Sequence, residues 1–408
     1  MMRTITFSDL VEINPRVQLR KAGEYPFIEM SVVEPGFRYV HPNQIRKYNG
    51  GGSKFMPGDV LFARITPCLE NGKISQYHPN NEEAGFGSTE FFVFRARPEI
   101  SEPGFVYYLV NSDVIRKPAE KSMSGASGRQ RADLASIVNI ELPFIPFPTQ
   151  RKIASILSAY DDLIENNLRR IKILEEMAQN LYREWFVKFR FPGHEDTQFV
   201  DSPLGRIPEG WEVKPLLLLS DVTYGYAFKS KKFNSSRIGL PVIRIRDVLA
   251  GSSSTYSSED PGPKYLVENG DILVGMDGEF HMGIWVGGKA FLVQRVARFR
   301  KKRNISIGNY YLFFALQEPI RTFNATITGT TVAHLGDKHI KTISILLPSI
   351  KIIDKVNSFI EPMLKQIISL RLKNFTLRQT RDLLLPKLIS GEVDVIDIDI
   401  EIPETIEV

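Results

Sequence analysis

A single cysteine, Cys68, stands among 408 residues, so the chain can close no internal disulfide and build no cysteine-based zinc site. Set between Pro67 and Leu69 after an apolar run, it is expected to be a buried, inert thiol. No apolar run approaches the ~18 residues of a membrane span, and the start, Met1-Met2-Arg3-Thr4-Ile5, lacks a secretory h-region. A soluble cytoplasmic protein without membrane association is expected. Catalytic signatures are missing as well. No Gly-x-Gly-x-x-Gly stretch follows a strand pattern, Gly50-Gly51-Gly52-Ser53-Lys54 lacks P-loop spacing, and no Asn/Asp-Pro-Pro-aromatic motif of an amino-methyltransferase occurs. The six histidines are scattered, and His334 and His339, near Asp337, miss the i, i+4 spacing of a zinc pair, so loop histidines and no metal site are expected.

Acidic residues are unevenly spread. The tail from Glu392 to Val408 holds seven acids and no Lys or Arg. Without it the chain carries 52 basic residues against 40 acidic ones, the 47 less those seven, so the net +5 becomes +12. That balance suits a polyanionic partner or an ordinary solvated basic surface. At 43% apolar and 11% aromatic, the chain can build two or three domains with sizeable cores.

What is present is organised around residues 149–189, which read as one amphipathic helix. With Ile153 at heptad position a, the a series is Ile153, Tyr160, Asn167, Leu174 and Leu181, and the d series Leu157, Ile164, Ile171, Ala178 and Trp185. Nine of the ten are apolar, the pattern of a coiled-coil seam. Outward positions, Asp161 among them, are charged. Thr149 is the expected N-cap and Pro192-Gly193 the stop. A shift of 203 superposes the seam on a second stretch, with Val356, Met363, Leu370, Leu377 and Leu384 at a, and Ile360, Ile367, Asn374, Arg381 and Leu388 at d. Pro362 is expected to break or restart this second helix, and Pro386 to disturb it more mildly. If the two pack antiparallel, Asn167 opposes Asn374 as a register device, since a buried Asn trades stability for alignment.

The segments before the helices repeat too. Tyr25-Pro26-Phe27-Ile28 is answered by Leu240-Pro241-Val242-Ile243, Gly58-Asp59-Val60-Leu61 by Gly270-Asp271-Ile272-Leu273, and Phe92-Val93-Phe94-Arg95 by Ala297-Arg298-Phe299-Arg300. Aromatic helices are expected at 103–112 and 309–317, a Gly/Ser loop at 124–131 answered by 328–331, and a linker at 201–211. The expected fold is α+β, with two similar globular domains joined by two long helices in an antiparallel coiled coil, a pseudo-twofold internal repeat. Boundaries fall at 1–142, 143–191, 192–342, 343–391 and an acidic tail, 392–408.

These residues resemble the specificity subunit of type I restriction-modification systems. The resemblance rests on Pro148-Thr149-Gln150-Arg151-Lys152-Ile153, on Leu181-Tyr182-Arg183-Glu184-Trp185-Phe186, on the stretch from Asp201-Ser202-Pro203-Leu204-Gly205 to Pro208-Glu209-Gly210-Trp211, and on Leu384-Leu385-Pro386-Lys387-Leu388-Ile389-Ser390-Gly391-Glu392. It implies a non-catalytic subunit whose two target-recognition domains each read half of a split double-stranded DNA target. The helices would space the domains and dock two methyltransferase subunits, which methylate adenine with S-adenosylmethionine, and ATP- and Mg-dependent restriction subunits. No cofactor would be bound by this chain. The rival is a coiled-coil adaptor that binds proteins without reading DNA.

Arg or Lys reads guanine, Asn or Gln reads adenine, and Ser, Thr and backbone amides hold phosphates. By residue type and loop setting the first domain offers Arg64, Asn71, Lys73, Ser124, Arg129, Gln130 and Arg131; the second offers Lys229, Lys231, Lys232, Arg244, Arg246, His281, Thr330, Thr331 and His334. Tyr182, Phe186 and Phe189 are candidates for subunit docking, while Trp185 is expected to pack in the seam.

Overall fold

The computed structural model describes residues 3–126, 128–327 and 333–399. Two compact units form, residues 1–165 with 376–408 and residues 166–375, so that each takes one globular module and part of both long helices. The candidates Thr330 and Thr331 and the end of the acidic tail lie outside the described residues.

In the first unit the chain runs through β1 (Thr4–Thr6), β2 (Val11–Ile13), β3 (Glu24–Ile28), β4 (Tyr39–Val40), β5 (Gln44–Lys47), β6 (Ser53–Phe55), β7 (Val60–Ala63), β8 (Ile74–Tyr77), β9 (Gly85–Gly87), β10 (Phe91–Ala96) and β11 (Glu141–Pro143). One sheet has the order β2-β10-β7-β8-β4, the other β5-β3-β9-β6. Strands β7 and β10 are buried on both faces, and period-two alternation divides their side chains between two cores. Val60, Phe62, Phe92 and Phe94 face a core shared with helix Pro103–Asn111 and the long helices, whereas Leu61, Phe91 and Val93 face a core with Ile28, Phe55 and Tyr77.

The second unit contains β12 (Phe199–Ser202), β13 (Gly205–Pro208), β14 (Glu212–Pro215), β15 (Ser220–Tyr224), β16 (Phe233–Asn234), β17 (Leu240–Ile243), β18 (Tyr256–Ser257), β19 (Leu266–Val267), β20 (Ile272–Gly275), β21 (Met282–Ile284), β22 (Ala290–Leu292), β23 (Val296–Lys301) and β24 (Ser344–Leu347). Its sheets, β15-β23-β20-β21 and β16-β18-β17-β22-β19, repeat the plan of the first. The parallel pair β3–β9 is matched by β17–β22, and the antiparallel pair β7–β10 by β20–β23. The repeated Gly-Asp turn has one purpose in both modules. Asp59, 1% exposed, takes a bidentate contact from Arg95 at 2.8 Å, and Asp271 takes the same from Arg300 at 2.7 and 2.5 Å. Each carboxylate also accepts the amide three residues back, from Met56 or Glu268, closing the turn before the strand.

The central helix spans Phe147–Tyr182 and ends in one π-turn, Arg183–Val187. It starts earlier than the expected cap at Thr149, because Pro148 fits a first turn whose amides lack partners anyway. It stops before Pro192, since Phe189 turns left-handed at φ 55°. The C-terminal helix runs unbroken over Ile350–Ile389, through Pro362 and Pro386. Pro362 and Ser358, whose carbonyl loses its donor, are both exposed, so water can satisfy that carbonyl while the opposite face stays packed. All five d residues of the central helix are buried. Stretch 201–211 is also more than a linker: β12 and β13 form a hairpin, and Ile207 and Trp211 are buried in the core.

Within the second unit the helices run antiparallel. Asn167 Nδ2 donates to Asn374 Oδ1 at 2.8 Å, both residues being 3% exposed, and Arg371 reaches Glu175 at 2.7 Å. Within the first unit the seam is polar where an outward Asp161 was expected. Asp161 is 6% exposed, accepts the Tyr108 hydroxyl at 2.6 Å, and pairs with Arg381, the d-position arginine. By the 203-residue shift, its counterparts in the second unit are Leu364 and Ala178, both buried in an apolar core.

Candidate nucleic-acid interface

Just beyond β7 three segments of the first unit cross. The Arg64 amide donates to the Glu90 carbonyl at 3.0 Å, the Thr66 amide to Gln130 at 2.9 Å, and the Ala132 amide to the Arg64 carbonyl at 2.7 Å. Beyond β20 the second unit repeats all three: Met276 to Arg295 at 2.8 Å, Gly278 to Ala333 at 2.9 Å, and Leu335 to Met276 at 2.8 Å. The isolated bridges Ile65–Arg131 and Asp277–His334 complete the match. Arg64 therefore corresponds to Met276, Ile65 to Asp277, Glu90 to Arg295 and Arg131 to His334.

The side chains on these equivalent positions differ, and the acid has changed segment. In the first module Glu90 accepts Arg131 Nε and Nη2 at 2.9 and 2.6 Å and Arg64 Nε at 3.2 Å. The Arg64 guanidinium also lies over the Phe92 ring. Hydrogen bonds from Arg131 and then Arg64 hold the Glu90 carboxyl below its ordinary range. Arg131, answered chiefly by that hydrogen bond, is raised. In the second module the acid is Asp277, 2.6 Å from His334 Nδ1 and 3.3 Å from Arg295 Nε. Each carboxylate is more buried than the side chains it holds: the side chains of Glu90, Arg64 and Arg131 are 19%, 34% and 48% exposed, and those of Asp277 and His334 25% and 47%.

The other candidates scatter. Arg129 and Ser124 are exposed on the loop that carries Arg131, while Gln130 holds the crossing through its carbonyl. Asn71 is exposed and lines a cleft of about 320 Å³ with Arg116 and Arg381, a lining that does not include Arg64, Glu90 or Arg131. Lys73 is no free cation, because its ammonium donates to the Met30 carbonyl at 2.7 Å. Lys229, Lys231 and Lys232 are exposed around the short turn Ser230–Lys232. Arg246 is exposed, but Arg244 is half-buried and engages Thr255 and Asp247. His281 lies 3.8 Å from Glu279. Cys68 is half-buried rather than buried.

The docking candidates need correction. Phe186 is 5% exposed, and Tyr182 packs its ring on Phe186, Tyr311 and Phe314. Phe189 is half-buried against Phe199 and Trp211. These rings close the second unit's own core, as their apolar area favours. Glu90, Asp277 and Arg295 were not among the sequence candidates. The repeat held a clue to two of them, since Glu90 and Arg295 immediately precede matched strands.

Among the described residues no group of His, Cys, Asp and Glu is placed to hold a metal, and no helix is long and apolar enough to cross a membrane.

Fold and crossing together define a class: a duplicated protein in which two modules of one plan present different polar side chains from the same framework, each module's unit taking part of two long helices. Comparison with known proteins is specific. The type I restriction modification DNA specificity domain matches twice, over residues 3–176 and 208–380, and the chain belongs to that family. It is similar to the type I restriction enzyme MjaIX specificity subunit of Methanocaldococcus jannaschii, 27% identical over 299 residues covering 71% of this chain and 69% of that protein. It is also similar to the EcoAI specificity subunit of Escherichia coli, 24% identical over 462 residues covering 87% and 77%. The crystal structure of the type I restriction-modification system S subunit from M. genitalium has the same fold, with a TM-score of 0.55 at 14% identity over 95% of this chain and 96% of that one.

Proposed function

We propose that this chain is the DNA-reading subunit of a type I restriction-modification complex, each module reading one half of a bipartite target. The observation that carries this is the repeated crossing: four backbone positions coincide between the modules while their side chains differ, as two readers of different bases require. The long helices carry the modules and set the spacing of the half-sites. They also dock two methyltransferase subunits, which supply S-adenosylmethionine chemistry, and restriction subunits that use ATP and Mg. The chain itself binds no cofactor and catalyses nothing. With Tyr182 and Phe186 committed to the core, docking falls to apolar side chains the helices leave exposed, Ile173, Met177 and Phe375.

The test combines chemistry and binding. Purified chain incubated with labelled S-adenosylmethionine, or with Mg-ATP and plasmid, transfers no label and makes no cut. With methyltransferase subunits added, it confers methylation at a split target, and DNA affinity falls steeply with salt as phosphate contacts demand. Label transfer by the chain alone, or affinity indifferent to salt, contradicts the proposal.

A further inference from the structure

The geometry points to Arg131 and His334 as equivalent base-reading residues of the two modules, with Glu90 and Asp277 as the positioning residues that aim them. The inference rests on the DNA-reading function proposed above and assigns that function to atoms.

In the first module the Glu90 carboxylate, sunk below the two arginines, takes Arg131 through Nε and Nη2. A guanidinium has five donors in one plane, so fixing that edge aims the remaining N–H groups. Two parallel donors match the O6 and N7 acceptors of guanine in the major groove. Arg64, held by the same carboxylate through Oε2 and lying over Phe92, braces Glu90 as well.

In the second module the same backbone position carries a different instrument. His334 Nδ1 lies 2.6 Å from the Asp277 carboxylate, which can only accept. Nδ1 must therefore carry the proton, and in the neutral ring Nε2 is left as an acceptor. An acceptor matches the exocyclic amino group of cytosine or adenine and is mismatched to guanine O6. Arg295, at the position of Glu90, holds Asp277 from the flank at 3.3 Å. The modules thus share a device and differ in its sign: a donor edge at Arg131, an acceptor at His334.

The test uses the full chain assembled with methyltransferase subunits, with the methylated bases mapped genome-wide in a restriction-deficient host. Glu90→Gln should relax one base-pair position in the half-site read by residues 1–142, with a roughly tenfold loss of discrimination there and the other half-site unchanged. Asp277→Asn should do the same in the opposite half. Arg131→Lys keeps the exposed charge but loses the planar fork, and should relax the same position as Glu90→Gln, which keeps the test sharp if Glu90→Gln misfolds. His334→Arg should shift its position toward guanine. Uniformly slower methylation with unchanged half-site sequences would overturn the assignment, because that is what a merely structural role gives. An unaltered profile in all four variants would overturn it too. If the parent complex shows no bipartite target at all, the DNA-reading function itself fails, a distinguishable outcome.

Discussion

Asp161 offers a test of how the helices are held in the first unit, with a control built into the chain. Its carboxylate sits at 6% exposure between the Tyr108 hydroxyl and the Arg381 guanidinium, itself 11% exposed at the side chain. Asp161→Ala leaves the arginine with only the exposed Asp382, at 2.9 Å, as a carboxylate partner, which should cost about 3–5 kcal/mol and fall toward the lower value. For a unit of this size that lowers the midpoint by about 2–4 °C per kcal/mol, hence by roughly 6–20 °C. Arg381→Ala should cost a similar amount. A buried pair is nevertheless replaceable, and the second unit shows how, with Leu364 and Ala178 at the matching positions. The triple variant Asp161→Leu, Arg381→Ala, Tyr108→Phe removes both charges and the hydroxyl together, so it should return to within about 1–2 kcal/mol of the parent. Calorimetry of the full chain resolves the transitions. The reasoning is refuted if either single variant costs less than about 1 kcal/mol, or if the triple variant is no more stable than the singles.

Three further outcomes follow from particular contacts. Cysteines replacing Asn167 and Asn374, with Cys68→Ser, should be joined in the native chain by a short thiol crosslinker, since the two amides share a 2.8 Å hydrogen bond; crosslinking only after unfolding would reject the register. Arg298, 7% exposed, occupies the site filled by Val93 in the first module but donates to the Leu266 carbonyl and, at 3.1 Å, to the Thr223 hydroxyl, so Arg298→Val orphans two acceptors and should cost about 1–3 kcal/mol, and an unchanged midpoint in denaturant titration would contradict this. Because Glu90 is held below its ordinary value by Arg131 and Arg64, the stabilisation it gives is complete above the ordinary carboxylate range and lost as pH falls through its lowered folded value; Glu90→Gln should show a smaller acid-side decline, and an identical pH profile would refute the coupling.

The repeat and the strands were legible because both are written locally. Phe91 to Phe94 alternate between two cores, and the Gly-Asp turns precede their strands in both modules. The Asn167–Asn374 pairing was legible because a heptad register and one shift constrain it. Other features depend on what a side chain meets far along the chain. Pro362 reads as a breaker from sequence, yet the rest of the helix packs well enough to carry it on an exposed face. Asp161 reads as outward until its arginine arrives 220 residues later. Tyr182 and Phe186 look like a docking surface until Tyr311, Phe314 and Trp211 cover them. Among the candidate readers, residue type singled out Arg64, Arg131 and His334 but not Glu90, whose partners lie 26 and 41 residues away.

The central claim is that the two modules read separate halves of one DNA target. Mapping methylated bases in a restriction-deficient host tests it most directly, comparing the parent complex with one in which residues 1–142 are exchanged for the corresponding module of a relative. The account predicts that one half of the methylated sequence changes while the other half and the spacing stay fixed; a change in both halves, or in neither, would contradict it.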